Sequence, residues 1–181
     1  MLSGKATRLQ SHFLALDKEY EARILLGIET DTWDREGKII AEQPVPNIDR
    51  GDIERLLLER FKGEFDQVPP AFSAIKSEGI PNYRRARRGE AVKSQARRVK
   101  VIEIELTDFS LPEFSLCLEC SSGFYVRSLA HDIGQSLGCG AILSSLIRTR
   151  IGDHRLEDAW GLEDIERIFK TREPSRATCP N

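Results

Sequence analysis

The hexapeptide Gly123-Phe124-Tyr125-Val126-Arg127-Ser128 places a phenol and a guanidinium two residues apart. A glycine follows a predicted strand here and a helical apolar period begins at Val126, so Tyr125 and Arg127 fall at a strand-to-helix junction. Such a junction holds exposed side chains rigidly, and a helix N-terminus adds positive potential. Because an arginine is unfavourable in a first helical turn, we expect a fixed anionic partner for Arg127. A surface arginine beside a core tyrosine is the alternative that these residues leave open.

A second feature is a cluster of basic residues over positions 76–100. It holds nine basic side chains against Glu78 and Glu90, a net charge of +7, while the remaining 18 basic and 27 acidic residues carry −9. The basic residues are Lys76, Arg84, Arg85, Arg87, Arg88, Lys93, Arg97, Arg98 and Lys100. Arginine pairs with phosphate through a planar fork, and the cluster flanks Tyr83 and a turn at Gly79–Pro81. It is either a solvated helix face or a track for a phosphate backbone.

The composition limits the classes of protein to consider. The chain has 181 residues, of which 40% are hydrophobic and 31% charged, which suits one domain. A net charge of −2 excludes a uniformly basic nucleic-acid binder. No apolar run approaches the roughly 20 residues of a membrane helix, and the first 16 residues lack the apolar centre of a secretory signal. Four cysteines are too few for a disulfide scaffold, which favours a reducing cytoplasm.

Metal binding is not predicted from the cysteines and histidines. Cys117 and Cys120 have C-x-x-C spacing, but Cys139 and Cys179 are single, so a second pair of zinc ligands is missing. On a strand, positions i and i+3 point to opposite faces. We therefore predict buried thiols, and the three histidines share no ligand spacing.

The apolar pattern predicts the elements that must position these side chains. Strands are predicted at Glu19–Gly27, Lys38–Ala41, Ser73–Lys76, Ala96–Phe109 and Phe114–Cys120, with extended chain at Arg148–His154. Helices are predicted at Asp49–Phe61 with Asp49 as N-cap, at Asn82–Gly89, from Val126 to a stop at Gly138, and at Ala141–Ile147. The first two strands flank a turn at Asp34–Gly37 and are predicted to form a hairpin.

This order of elements predicts one α+β domain over residues 1–170, with a mixed, mostly antiparallel sheet and flanking helices. The polar tail from residue 171 is predicted to be disordered.

Short motifs follow one another along the chain from about residue 4 to residue 165. The first are Gly4-Lys5-Ala6-Thr7, Asp17-Lys18-Glu19-Tyr20, Leu26-Gly27 with Thr30-Asp31-Thr32 and Asp34-x-x-Gly37, and Phe61-x-Gly63 with Gln67-Val68-Pro69-Pro70-x-Phe72-Ser73-Ala74-x-Lys76. The others are Gly79, Tyr83-x-x-Ala86-Arg87-x-Gly89, Ala96-Arg97, Gly123-x-Tyr125-x-Arg127-Ser128-x-x-x-Asp132-x-Gly134, Leu137-Gly138-Cys139-Gly140-Ala141 and Leu146-x-Arg148-Thr149-Arg150-x-Gly152. Each motif alone is weak, but the collinear series resembles the TruB family of tRNA pseudouridine synthases.

The resemblance implies an isomerase that converts the T-loop uridine of tRNA (uridine 55) to pseudouridine without a cofactor. The uridine would be flipped out of its stack into a pocket. By this resemblance Tyr20 packs against the base and helps move a proton, Tyr125 and Leu146 line the pocket, and Arg127 pairs with the catalytic carboxylate. The tRNA T-arm would be the partner, and its backbone would follow the basic residues Arg84, Arg85, Arg87, Arg88, Lys93, Arg97 and Arg98.

One departure from the family pattern bears on activity. The family nucleophile lies in a Gly-His-x-Gly-x-Leu-Asp-Pro motif, and neither Gly-His nor Leu-Asp-Pro occurs among the 181 residues. Asp31 and Asp132 belong to other family motifs and are not credible replacements. We therefore expect a pseudouridine synthase domain that lacks its N-terminal strands and its nucleophile, and that is inactive as an isolated chain.

Three interpretations follow from this departure. The first is a synthase whose N-terminal segment was lost or is a separate chain. Apart from such a segment, we expect the chain to be a monomer in the cytoplasm. The second is a non-catalytic tRNA-binding or chaperone-like module. The third is an unrelated α+β domain with a fortuitous basic cluster. Retention of Tyr20, Tyr125 and Arg127 favours the first, because a binding module would leave Arg127 without its carboxylate, at a cost if it is buried.

Overall fold

The computed structural model describes residues 2, 4–73, 75–77, 80–88 and 94–171. The predicted helix end at Gly89, the residue Lys93 and the predicted tail beyond residue 171 lie outside these residues.

A six-stranded antiparallel sheet forms the centre of the molecule, in the order β10-β9-β1-β8-β7-β4. Its strands are β1 (Lys18–Leu26), β4 (Gly63–Gln67), β7 (Arg97–Ser110), β8 (Glu113–Cys120), β9 (Ala141–Ile151) and β10 (His154–Arg155). Two small ribbons pair β2 (Ile28–Thr30) with β3 (Ile39–Glu42) and β5 (Lys76–Ser77) with β6 (Ile80–Pro81). The predicted α+β class with a mostly antiparallel sheet is confirmed.

The helices lie between these strands in the chain. A 3-10 helix at Gly4–Leu9 leads into α1 (Gln10–Ala15), and α2 (Arg50–Leu56) continues as a π-helix at Leu57–Phe61. The others are α3 (Asn82–Arg87), α4 (Val126–Leu137) and α5 (Leu162–Thr171). Asp49 caps α2 as predicted, accepting a hydrogen bond from the Asp52 amide in a capping box. Gly138 ends α4 as predicted, in the left-handed conformation.

The two faces of the sheet differ in character. The covered face carries the core, a single buried cluster that includes Ile24 of β1, Leu57 of the π-helix and Leu129 and Ile133 of α4. The open face carries the alternate side chains of the same strands, including Glu21, Glu105 and Glu119. Because side chains alternate along a strand, the position of each residue in β1, β8 or β9 determines the face of the sheet on which its side chain lies.

Residues Ala141–Ile147, predicted as a helix, instead form most of β9, and this prediction was wrong. β9 pairs with β1 along nearly its whole length, from Ala141 opposite Leu26 to Ile151 opposite Lys18. Its first four residues are all buried, and both α4 and β2 contact the strand. A strand buried on both faces shows no alternation, so its apolar run was indistinguishable from a short helix.

The pairing of the predicted hairpin also differs. Lys38–Ala41 corresponds to β3, but β3 pairs with β2 rather than with the long strand β1. Gly27 separates β1 from β2 with a φ of +87°, a left-handed conformation that redirects the chain. The strand β4, the helix α5 and the N-terminal helices were not predicted.

Candidate functional site

The N-terminus of α4 is fixed by hydrogen bonds to the segment that follows β4. The buried Gln67 side chain accepts from the Tyr125 amide (2.8 Å) and donates to the Tyr125 carbonyl (3.1 Å). The Ser128 hydroxyl donates to the Val68 carbonyl at 2.7 Å. Because these bonds tie the first turn of α4 to residues 67–68, the Arg127 side chain leaves the helix from a rigid base.

Arg127 reaches three acceptors from two other parts of the chain. Its Nη1 donates to the Asp34 carboxylate (3.0 Å) and to the Thr32 carbonyl (3.1 Å), and its Nη2 donates to the Phe72 carbonyl (2.8 Å). The Arg127 and Asp34 side chains are 24% and 23% exposed, so the pair is shielded but reachable from solvent. Two of the five guanidinium N–H groups, Nε–H and one on Nη2, have no acceptor among the described residues.

The turn that carries Asp34 is itself highly ordered by hydrogen bonds. One Asp34 carboxylate oxygen accepts from the Thr32 hydroxyl (2.6 Å) and the Glu36 amide (3.1 Å), leaving the other for Arg127. A Cβ at Gly37 would collide with the side chains of Thr32 and Asp31, so only glycine fits where the turn closes. The turn therefore presents Asp34 to α4 in a single orientation.

The anionic partner expected for Arg127 is Asp34. The argument that a non-catalytic module would leave Arg127 without a carboxylate was therefore wrong, because Asp34 belongs to the same chain. Asp34 was recognised only as a turn residue, because the 93 positions that separate it from Arg127 carry no spacing signal. Gln67 was missed for the same reason, since it is 58 positions from Tyr125.

Tyr20 and Leu146 lie on neighbouring strands and on the same face of the sheet. In the β1–β9 register Tyr20 is opposite Arg148 and Ala22 is opposite Leu146, which puts all four on the covered face. Leu146 is nevertheless 43% exposed. Burial raises the pKa of Tyr20, with the nearby Arg148 opposing part of the rise, so its phenol keeps its proton at neutral pH. The roles of Tyr20, Tyr125 and Leu146 towards a base stay predictions.

The sheet has an incompletely paired edge beside these residues. The inner side of β9 pairs with β1. Its outer side pairs with β10 at Arg150 and Ile151 and with the turn at Leu143, and among the described residues no strand pairs with positions 144–148 on that outer side. A cavity of about 540 Å³ between α1 and the β9–β10 hairpin is lined in part by Phe13, Lys18 and Arg148.

The basic helix α3 is attached to the segment that contacts Arg127. The amides of Asn82 and Tyr83 donate to the carbonyls of Ile75 and Ser73 (2.7 and 3.0 Å), directly after Phe72. Arg84 is exposed, with its guanidinium over the Tyr83 ring at 6.0 Å.

The basic cluster also continues into the sheet beside the base of α4. Arg97 is exposed and lies opposite Gln67 in the β4–β7 register. Arg98 is paired with Glu64 (3.5 Å) and Asp66 (3.7 Å), so part of its charge is neutralised locally. The side chains of Arg87 and Lys93 lie outside the described residues.

The two cysteines of the C-x-x-C motif point to opposite faces of β8, as predicted. Cys120 is buried on the covered face and Cys117 is half-buried on the open face. Burial raises the pKa of Cys120 to about 12, so this thiol is unreactive at neutral pH. Across the described ranges, no group of three or more His, Cys, Asp or Glu side chains could hold a metal ion. Nor does any helix in those ranges have the length and apolar content needed to cross a membrane.

Comparison with known proteins places this fold in a family. Residues 1–126 match the model of the TruB family pseudouridylate synthase N-terminal domain, and residues 127–177 match that of the tRNA pseudouridylate synthase B C-terminal domain. Among curated relatives, tRNA pseudouridine synthase B of Opitutus terrae is 44% identical over 93% of this chain and 69% of its own length. Those of Francisella tularensis subsp. novicida and Azoarcus sp. are 43% and 46% identical over 90% of this chain, which spans 54% of each.

Solved structures show the same fold. A chain of a Cbf5-Nop10-Gar1 complex superposes with a TM-score of 0.63 at 27% identity, over 91% of this chain and 40% of that one. A chain of an H/ACA RNP bound to a substrate RNA gives a TM-score of 0.61 at 24% identity, over 95% of this chain and 41% of that one. The fold is thus that of pseudouridine synthases. The chain belongs to the TruB family, and the predicted resemblance is confirmed.

Proposed function

We propose that this chain forms the uridine pocket of a tRNA pseudouridine synthase acting on the T-arm, and that the attacking carboxylate comes from a segment outside the 181 residues. The observation that carries this proposal is the Arg127 site. Its guanidinium is anchored by Asp34 and two carbonyls and still has two N–H donors without an acceptor among the described residues. A second carboxylate can bind there without displacing the first.

The proposed isomerisation of uridine needs no cofactor. Attack of the carboxylate on C1′ of the nucleoside breaks the N1–C1′ glycosidic bond and joins the carboxylate to the ribose. The uracil then turns, C5 displaces the carboxylate from C1′, the C5 proton is removed, and a proton is returned to N1. Arg127 would hold the carboxylate in position, and its charge acts strongly in a site shielded from water. Tyr20 would pack against the base and help to move the C5 proton, while Tyr125 and Leu146 would line the pocket.

The unpaired edge of β9 and the cavity beside Lys18 and Arg148 support a missing segment as the second component. Both lie next to Tyr20 in the sheet register. A segment that carries the Gly-His-x-Gly-x-Leu-Asp-Pro motif could add a strand there and bring its aspartate to Arg127.

Complementation tests this proposal. The isolated chain is expected to form no pseudouridine in a T-arm stem–loop RNA, and addition of a TruB-family segment bearing the motif is expected to start turnover. A segment with Asn in place of the motif Asp is the matched control and should restore binding without turnover. Robust conversion by the isolated chain would mean that the attacking group is misidentified.

A non-catalytic tRNA-binding module is the second candidate, and one contact favours it. The Arg127–Asp34 pair satisfies the charge of Arg127 within the chain, so retention of Arg127 does not by itself require catalysis. Failure of every complementing segment to start turnover, with T-arm binding intact, would select this alternative.

The basic cluster is proposed to bind the tRNA backbone in either case. Replacing Arg84, Arg85 and Arg88 together by Glu should weaken T-arm binding and flatten its salt dependence, with the slope falling by about 0.9 for each duplex phosphate that is no longer neutralised. The matched pair is Arg84→Glu and Arg98→Glu, and Arg98→Glu should have the smaller effect, because Glu64 and Asp66 already neutralise Arg98. Unchanged binding across salt would remove the cluster from the interface.

A further inference from the structure

Trp33 has a backbone conformation that tryptophan rarely adopts. Its φ is +62°, in the left-handed region that favours glycine and is unusual for a bulky side chain. It lies between Thr32, whose carbonyl accepts from Arg127, and Asp34, whose carboxylate does the same. The one strained non-glycine residue among those described is therefore in the turn that anchors Arg127.

The conformation of Trp33 bears directly on the Thr32 carbonyl. Rotation about the N–Cα bond of Trp33 changes the direction of the peptide plane that joins it to Thr32. With φ at +62° that carbonyl meets Arg127 Nη1 at 3.1 Å. With an ordinary negative φ at Trp33 and the rest of the turn in place, the plane would rotate and the carbonyl would turn away from the guanidinium.

An aromatic stack holds Trp33 in this conformation. Its indole lies on the His131 imidazole with ring centroids 4.2 Å apart and planes 10° apart. His131 is four residues after Arg127 in α4, so both side chains leave the same face of the helix one turn apart. The turn is thus attached to α4 at two points, by the stack and by the Arg127 contacts.

A third attachment comes from β9. The Trp33 carbonyl accepts from the Leu143 amide at 3.0 Å, and the Arg35 amide donates to the Leu143 carbonyl at 3.2 Å. These bonds fix residues 33 and 35, and within the turn the Trp33 amide donates to the Thr30 carbonyl at 3.2 Å. The stack on His131 adds to these hydrogen bonds by holding the Trp33 side chain, so it opposes relaxation of the strained φ.

We propose that Trp33 and His131 are positioning residues for Arg127: their stack keeps the Thr32 carbonyl and the Asp34 carboxylate directed at the guanidinium. The catalytic consequence rests on the proposed function of Arg127, but the positioning itself does not. The His131 Nδ1 atom is buried without a hydrogen-bond partner in the described structure, as expected if the ring is retained for stacking rather than for a polar contact.

The decisive comparison is Trp33→Ala against Trp33→Phe in the full 181-residue chain. Alanine keeps the strain of a φ of +62° but removes the stack, whereas phenylalanine keeps an aromatic ring over His131. His131→Ala and His131→Phe form the reciprocal pair. Trp160→Phe is the matched control, because Trp160 is the only other tryptophan and is 67% exposed.

The readout is the side-chain NMR spectrum of Arg127, assigned with Arg127→Lys. Resolved, slowly exchanging guanidinium N–H signals are expected in the unmodified chain, Trp33→Phe, His131→Phe and Trp160→Phe. Averaged signals are expected in Trp33→Ala and His131→Ala. Amide exchange at Leu26 and Ser121, which donate to the Pro112 and Lys100 carbonyls away from the turn, reports whether each variant is folded. Resolved Arg127 signals in folded Trp33→Ala or His131→Ala would overturn the proposal.

Turnover of the complemented protein gives an independent result. Trp33→Ala should lower kcat by about threefold to tenfold, the range expected for loss of one aromatic pair, with little change in KM for T-arm RNA. An equal kcat in Trp33→Ala and the unmodified protein would overturn the catalytic consequence. If no protein turns over, the proposed function fails, while the NMR comparison still decides the positioning.

Discussion

Arg127 and Arg150 are at the centres of polar networks on opposite sides of the sheet, and the two networks are balanced differently. On the open face, Arg150 contacts the carboxylates of Glu119 (2.7 Å) and Glu19 (3.5 Å), two unit charges against one. On the side covered by α4, Arg127 contacts one carboxylate and two carbonyls. The excess of negative charge around Arg150 opposes a further anion, whereas Arg127 faces a single carboxylate and can accept a second one.

The position of each network explains this difference. Glu19 and Glu119 are directly opposite on β1 and β8, where two like charges repel unless a cation lies between them. Arg150 is opposite Glu19 on β9 and fills that place. Arg127 instead holds together a helix, a turn and an irregular segment, none of which continues the sheet. One arginine thus stabilises the sheet, and the other organises a site.

The largest expected effect separates the two arginines by activity. In the complemented protein, Arg127→Met should reduce pseudouridine formation by about 100-fold or more, since it removes the group that would hold the attacking carboxylate. Arg150→Met should change the rate by less than about threefold, because its network faces away from Tyr20. Rates on a T-arm stem–loop RNA measure both, and equal losses in the two variants would remove the distinction.

The next effect concerns stability, for which we expect Arg150 to matter more than Arg127. Arg150→Met should lower the free energy of unfolding by about 1–3 kcal/mol, because Glu19 and Glu119 are then left facing each other. Urea denaturation provides the measurement. The double variant Arg150→Met with Glu119→Gln is the control, and it should recover part of the loss. A loss below experimental error would show that solvent already screens the two glutamates.

A smaller effect is the dependence of stability on pH, which should differ between Glu19 on the open face and Asp132 in α4. The hydrogen bond from Thr149 holds the pKa of Glu19 below its ordinary value, with Arg150 adding to the effect. Stability from Glu19 is therefore present above its unfolded pKa of about 4.3 and is lost as the pH falls through its lower folded pKa. Glu19→Gln should reduce stability at neutral pH and flatten the acid limb of the stability curve.

Asp132 of α4 should respond in the reverse direction. Burial raises the pKa of Asp132 despite the nearby His131 and Arg60. Stability from Asp132 is greatest below its unfolded pKa of about 3.9 and falls as the pH rises to its folded pKa. Asp132→Asn should raise Tm at neutral pH, and the gain should vanish at low pH. Thermal unfolding between pH 3 and pH 8 tests both residues, and the same sign of change in the two variants would contradict this contrast.

Local patterns were sufficient to predict α2 and α4. Their apolar periods, the Asp49 cap and the Gly138 stop depend on residues a few positions apart, so they can be read along the chain. The strands β1, β7 and β8 were predicted for the same reason, because their side chains alternate between a buried and an open face. The order of family motifs identified the family without any knowledge of the fold.

Contacts between distant residues decided the rest. The sequence alone required an anion for Arg127, but only folding showed that Asp34 fills that place, since the turn and α4 meet across the end of β9. The strand β9 likewise depends on pairing with β1, because a chain buried on both faces has no period of its own. Residue types are local properties of the chain, whereas charge pairing and burial depend on which segments become neighbours.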